Sequence, residues 1–182
     1  MPEKRLVRLL LQQCTSAQLD LRGTDAVGAE SDADLILERC GAPDDDGLLK
    51  IGPGLVLFVC FLSGCDDATA RRAATTALSA RLSESAADSR RTAITSAPGD
   101  ILVVPQATLG GQLKGKQFQY HGNVSKADGA RLYAVFVEAL SETAAEVDGW
   151  SQAGCRIRCG RYGARQVLSS TTNGPFSHVI EL

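Results

Sequence analysis

The chain lacks any apolar run long enough to cross a membrane: Leu6 to Leu11 is short and broken by Arg8. No apolar leader core or small-residue cleavage site comes after it, so a soluble, cytoplasmic protein without a membrane partner is expected. The chain also lacks an excess of charge of either sign. Its 19 Lys and Arg against 21 Asp and Glu leave a net −2, so any nucleic-acid contact must come from a local basic patch. Histidine is scarce; His121 and His178 are the only two, and neither has a Ser or Cys partner in a nucleophile motif. Six cysteines are present, but Cys60-x4-Cys65 and Cys155-x3-Cys159 are not CxxC pairs and no histidine sits at zinc-finger spacing. No metal and no cofactor is expected. The thiols are expected to stay reduced, with Cys60 and Cys155 as small buried residues on strands. Internal repeats and linkers are missing too, so residues 1–182 are read as one domain.

What is present is mostly strand. Leu6 to Cys14 is β-prone, and Ala17 to Arg22 alternates apolar with polar residues. Gly23 to Gly47 changes character, being rich in Gly, Ala and Asp; it reads as a surface insertion with a short element at Leu35 to Leu37. Its run Asp44-Asp45-Asp46 reads as a solvated loop tip. Gly54 to Leu62 is nearly continuous apolar sequence, as a buried central strand is. Asp66 and Asp67 can cap a helix over about 68–83, with Ala70, Ala74, Ala77, Leu78 and Leu82 on one face. Thr92 to Ser96 reads as a strand, Pro98-Gly99-Asp100 as a turn, and Ile101 to Leu109 as another buried strand. Ser125-x-x-Asp128 opens a second helix to about Val147, facing inward with Leu132, Tyr133, Phe136, Val137, Leu140 and Ala144. Arg156 to Cys159, Gln166 to Leu168 and Ser177 to Ile180 close the chain as short strands. The order implies an α+β fold, a mainly antiparallel, barrel-like sheet core with two packed helices.

Gly110-x4-Gly115-Lys116 has the spacing of a phosphate-binding loop, but Gln117 stands where that loop needs Ser or Thr, and Phe118-Gln119-Tyr120-His121 makes a poor helix start. A mobile glycine-rich loop is the plain alternative. A third reading suits the residues better: Lys114, Lys116 and Lys126 grip RNA phosphates, while Tyr120 and His121 add a stacking surface.

Two segments carry a family resemblance. Pro105-Gln106-Ala107-Thr108-Leu109 resembles the Ser-Gln-x-Thr-Leu motif of D-aminoacyl-tRNA deacylases, and Thr172-Asn173-Gly174-Pro175-Phe176-Ser177-His178 resembles their Asn-x-Gly-Pro-x-Thr signature. The likeness covers the chain except the acidic insertion. Pro105 stands where standard members have Ser, Ala107 where they have a bulky aromatic, and Gln13 where they have Arg. With Gln12-Gln13-Cys14, these departures look like the animal-type variant, which also clears L-alanine from threonine tRNA; Ser177 stands where that variant usually has Thr.

The resemblance implies a homodimeric hydrolase with the active site at the interface. Its substrate is the ester joining an amino acid to the terminal adenosine of tRNA, and the activity is translational proofreading. Gln106, Ala107 and Thr108 become catalytic candidates, acting through main-chain amides, the Thr108 hydroxyl and the RNA's own 2′-hydroxyl. Gln13, Pro105, Asn173, Gly174, Pro175 and Phe176 become substrate-binding candidates, with Gly174-Pro175 entering the other subunit's slot as a chiral filter. Because Gln13 lacks the charge of the standard arginine, a trans Gly174-Pro175 bond and a wider slot are expected. From the residues alone, an ordinary turn before an edge strand is the plainer reading of Asn173-Gly174-Pro175. His178 reads as a structural or surface residue on the polar side of its strand. The rival readings are a non-catalytic RNA-binding protein using the Lys114 to Lys126 loop, a P-loop nucleotide hydrolase and a small β-rich dimeric scaffold.

Overall fold

A computed structural model describes residues 5–22, 36, 40–84, 90–147, 149–150, 152–174 and 176–182. The opening strand β1 (Val7–Cys14) alternates as its sequence requires: Val7, Leu9 and Leu11 are buried, and Arg8, Leu10 and Gln12 face the other way, half-buried. The next strands are β2 (Ser16–Asp20), β3 (Leu48–Ile51) and β4 (Gly54–Phe61). β4, the continuous apolar run, is the middle strand of a five-stranded sheet. It lies between β1, antiparallel, and β7 (Asp100–Pro105), parallel. β10 (Ile157–Cys159) continues the sheet in parallel beyond β7, and β12 (Ser177–Glu181) pairs antiparallel with β1 at the opposite edge. A three-stranded antiparallel sheet places β2 between β11 (Val167–Thr171) and β3.

Two helices among the described elements cover one face. Asp66 caps α1 (Asp67–Ser79) by accepting from the Thr69 amide at 2.8 Å. Ser125 caps α2 (Lys126–Ala145) by accepting from the Asp128 amide at 3.1 Å. All six inner-face residues expected on α2 are buried, and full burial of an apolar side chain stabilises by about 1.5–3 kcal/mol. Buried Tyr133 keeps its hydroxyl satisfied by donating to the Gly160 carbonyl at 2.9 Å. On the other face, the small sheet packs Leu19, Leu49 and Ile51 against Val56, Leu102 and Val104. The α+β class, its mainly antiparallel pairing and the two packed helices thus match expectation.

Several local expectations need correction. α1 stops at Ser79 because Ala80 is extended and Arg81–Glu84 (β5) pairs with Arg91–Ala93 (β6), so Leu82 is a strand residue and the strand expected over 92–96 ends at Ala93. β7 stops at Pro105, and Ala107–Gly110 forms a 3-10 turn instead of prolonging the strand. Gln112–Lys114 (β8) and Gln117–Gln119 (β9) form a hairpin, so the plain alternative of a mobile glycine-rich loop does not hold. Gly115, at φ +63°, takes the left-handed position in its two-residue connection, with Lys116 beside it. A strand rather than a helix therefore comes after Lys116, and the phosphate-loop reading fails. The acidic run is not merely solvated: Asp44 accepts from buried Arg158 at 3.0 Å. Cys40 and Cys159 are joined as a disulfide, against the expectation of reduced thiols, and half-buried Cys155 precedes β10 rather than lying on it. Of the expected element at 35–37, only Ile36 is described; it is buried in the core.

Candidate active site

Where β7 ends, Gln106 leaves the sheet with its amide still donating to the Val59 carbonyl at 2.8 Å. The chain then folds over the end of β4 as the Ala107–Gly110 turn. Leu109 closes the turn by donating to the Gln106 carbonyl at 3.2 Å. Side chains brought in from elsewhere hold it in place. Asn123 Nδ2 donates to the Ala107 carbonyl at 2.8 Å, and the Cys60 thiol lies 3.6 Å from the same oxygen. Arg8, which also pairs with Glu181, donates to the Leu109 carbonyl. Burial pushes the Cys60 thiol up from its ordinary value, so it is a weak donor there and not a nucleophile. Gly110 fits by close approach: a Cβ would lie 1.9 Å from Asn123 Oδ1, so any larger residue displaces the Asn123 side chain.

These contacts grip the turn by its carbonyls and leave its start open. The first amides of any helical turn have no partner within the turn, and Gln106 makes no side-chain cap bond. Ala107 and Thr108 are exposed. The Gln106 side chain instead donates from Nε2 to Thr108 Oγ1 at 2.5 Å. That leaves the Thr108 hydroxyl hydrogen free to be donated outward.

The second group of candidates lies elsewhere. Gln13 donates from its backbone to the Phe176 carbonyl at 3.3 Å and from Nε2 to the Leu82 carbonyl at 2.5 Å. The Leu82 carbonyl also accepts from Arg91 at 3.2 Å, and the Arg91 guanidinium stands over the Phe176 ring at 5.8 Å. Asn173 is exposed, Gly174 half-buried and Phe176 48% exposed. Pro175, and with it the isomer of the Gly174-Pro175 bond, lies outside the described residues. Register separates this tip from the turn, because Phe176 sits level with Gln13 while Pro105 is level with Leu9. Along and across the strands that amounts to roughly 20 Å within one chain.

The β8–β9 hairpin stands beside the turn. Asn123 links the two regions, and a Cβ at Gly111 would meet the Tyr120 ring at 2.8 Å. Lys114, Lys116, Tyr120 and His121 are all exposed, and so are the cross-strand neighbours Leu113 and Phe118. His178 turns inward on the side of Ile180, leaving Val179 outward and 61% exposed, so it is not on the polar side of its strand.

Sequence reasoning missed Arg8, Cys60 and Asn123. Arg8 carries a signal, as the one charge interrupting an apolar strand. Asn123 carries none, since its role depends on a bridge between Leu62 and Asn123 that brings distant segments together.

Residues 10–181 match the model of the D-Tyr-tRNA(Tyr) deacylase family. The chain is 38% identical over 174 residues to human D-aminoacyl-tRNA deacylase 2, covering 96% of this chain and 94% of that protein. It is 36% identical over 176 residues to the Gallus gallus protein of the same name, covering 97% and 95%. Among solved structures it is similar to a probable eukaryotic D-amino acid tRNA deacylase, with a TM-score of 0.74 at 23% identity over 97% of this chain and 99% of that one. It is also similar in fold to the c-Myc DNA unwinding element binding protein, with a TM-score of 0.72 at 18% identity, covering 96% and 98%. With matches of this length in sequence and fold alike, the chain belongs to the D-Tyr-tRNA(Tyr) deacylase family.

Proposed function

We propose that this protein hydrolyses the ester of mischarged aminoacyl-tRNA, D-aminoacyl-tRNA first and glycyl- or L-alanyl-tRNA besides, as a proofreading step of translation in the cytoplasm. Family membership supports the reaction class. The observation that carries the site is the Ala107–Gly110 turn, held by its carbonyls and open at its amides. An aminoacyl ester is already activated, so positioned water and oxyanion stabilisation are the main needs. In this reading the Ala107 and Thr108 amides receive the developing oxyanion. The Thr108 hydroxyl, oriented by Gln106, donates to the substrate, and the terminal adenosine's 2′-hydroxyl assists. In the same reading the exposed Lys114, Lys116, Tyr120 and His121 contact the RNA beside the slot.

The Asn173–Phe176 tip, with Gln13 behind it and Pro105 below the turn, completes the slot from a second copy. Supporting this is the arrangement of one sheet face. Arg8 lies at the turn end of β1 and Gln12 at the tip end, with half-buried Leu10 and exposed Val179 paired between them. A two-fold axis through that midpoint exchanges the ends, bringing each tip to the other copy's turn. The Gly174-Pro175 bond is trans in this reading, since uncharged Gln13 replaces the family's arginine.

The test is a deacylation panel of D-tyrosyl-, glycyl- and L-alanyl-tRNA, each with a cognate L-aminoacyl control. Hydrolysis of D-tyrosyl-tRNA with the cognate esters spared supports the reading. Binding of all these tRNAs without hydrolysis of any would favour the non-catalytic alternative.

A further inference from the structure

Six large apolar side chains are exposed among the described residues, and three of them stand together beside the Ala107–Gly110 turn. Leu113 on β8 and Phe118 on β9 sit directly opposite each other, 61% and 60% exposed. Tyr120, also exposed, lies two residues beyond Phe118 on the same side. Gly111 sets the level of this face. A Cβ there would lie 2.8 Å from the Tyr120 ring and 3.1 Å from the Phe118 ring, so both rings rest against bare backbone. The same glycine donates its amide to the Thr108 carbonyl at 3.1 Å, so the apolar face begins where the turn ends. The hairpin thus holds two aromatic rings and a leucine in water next to the proposed slot.

The charge around the face decides what covers it. From Ile101 to Ala127 the sequence carries Lys114, Lys116, His121 and Lys126 and no carboxylate, in a chain of net charge −2. Among the described residues no carboxylate pairs with these lysines. A stable protein partner buries roughly 800 Å² on each side, beyond what three side chains supply. The bases of a single RNA strand are flat and apolar on their faces while the backbone is anionic, and rings beside lysines match both. The terminal adenosine is taken up at the turn, so the bases that reach the hairpin are those before it. We infer that the Leu113–Phe118–Tyr120 face stacks the unpaired bases that precede the terminal adenosine of tRNA, while Lys116, in the connection at the end of that face, meets their phosphates. The inference rests on the deacylase reading of the slot and gives the RNA an ordered path, with the ester at the turn and the bases along the hairpin. Stacking reads no base edge, so the face grips every tRNA end alike and leaves the choice among esters to the slot.

The experiment uses D-tyrosyl esters of increasing length (adenosine, CpA, CpCpA and full tRNA) with wild type, Phe118→Ala and Phe118→Trp. Phe118 is exposed and lies outside the turn, so urea unfolding of both variants should match wild type. For wild type, KM falls as nucleotides are added. Phe118→Ala raises KM about tenfold on CpCpA and tRNA, as expected for one lost stack, and changes it by less than about twofold on the adenosine ester. Its kcat is unchanged throughout, and Phe118→Trp keeps the wild-type KM. Between roughly 50 and 200 mM salt, the log–log slope of KM is unaltered in Phe118→Ala and becomes shallower by roughly 0.7 in Lys116→Gln. A wild-type KM in Phe118→Ala on CpCpA and tRNA, or an equal rise on the adenosine ester, overturns the inference while leaving the deacylase reading intact. If wild type cleaves none of the four esters, the deacylase reading falls by itself. The face is then judged on uncharged tRNA: a loss of affinity in Phe118→Ala that vanishes when the unpaired 3′ end is trimmed upholds it, and equal affinity of variant and wild type rejects it.

Discussion

Proline at position 107 would remove one proposed oxyanion donor and little else. Ala107 is the first residue of the 3-10 turn, where proline's fixed φ suits the helical backbone and its missing N–H breaks no bond within the turn. The preceding residue must avoid the helical region, and Gln106 already does, at φ −138° and ψ 81°. The contacts that hold the turn, Asn123 to the Ala107 carbonyl and Leu109 to Gln106, use carbonyls that proline keeps. Stability should therefore change by less than about 1 kcal/mol. Loss of an oxyanion donor costs about 100- to 1,000-fold in kcat, or roughly 2.7–4 kcal/mol of barrier. Single-turnover deacylation of D-tyrosyl-tRNA, read beside a urea unfolding curve, separates the two quantities. If Ala107→Pro folds normally and keeps kcat within threefold of wild type, the Ala107 amide is not an oxyanion donor.

Three other perturbations probe the turn and the frame around it. Gly110→Ala places a methyl group 1.9 Å from Asn123 Oδ1 and should cost about 2–4 kcal/mol through overpacking and a broken Asn123 bond. In an Asn123→Ala background most of that clash disappears, so a double-mutant cycle by urea unfolding should show coupling of about 1–2 kcal/mol, and additivity would refute the contact. Arg158→Met removes donors from the Ala42 carbonyl and from Asp44. The expected loss is about 1–3 kcal/mol by urea unfolding, mostly from the carbonyl, because the Asp44 side chain is 35% exposed and screened. Burial raises the thiols of Cys14, Cys60 and Cys65, the last from 9.0 to about 11. Unfolding frees these protons more readily, so stability is complete below pH 9 and declines from there toward pH 11. Melting curves should show that decline, and Cys65→Ala should flatten it; an identical slope in the variant would show that Cys65 contributes nothing to it.

The strands and helices legible in the sequence were those whose burial follows a simple period. β1, β4 and α2 bury one stripe or both faces, and their apolar residues say so directly. Elements decided by distant partners were hidden. β3 exists because β2 pairs with it. The 3-10 turn is held by Arg8 and Asn123, which stand 101 and 16 residues away in sequence from the carbonyls they grip, and no motif connects them. The β8–β9 hairpin was obscured by glycines that also fit a phosphate loop. The candidate motifs Gln106-Ala107-Thr108 and Asn173-Gly174 are contiguous in sequence and so could be picked out as segments. Their mutual placement could not, and within one chain they stand at opposite ends of the sheet.

Subunit complementation tests most directly whether turn and tip meet across two copies. Ala107→Pro disables the turn and Gly174→Leu the tip, and in the proposed homodimer each variant alone should be inactive. After unfolding and refolding together, half the dimers are mixed and each holds one site with both parts intact, so activity should return to about a quarter of wild type. Mixed dimers that form yet stay as inactive as their parents would contradict a slot shared between subunits.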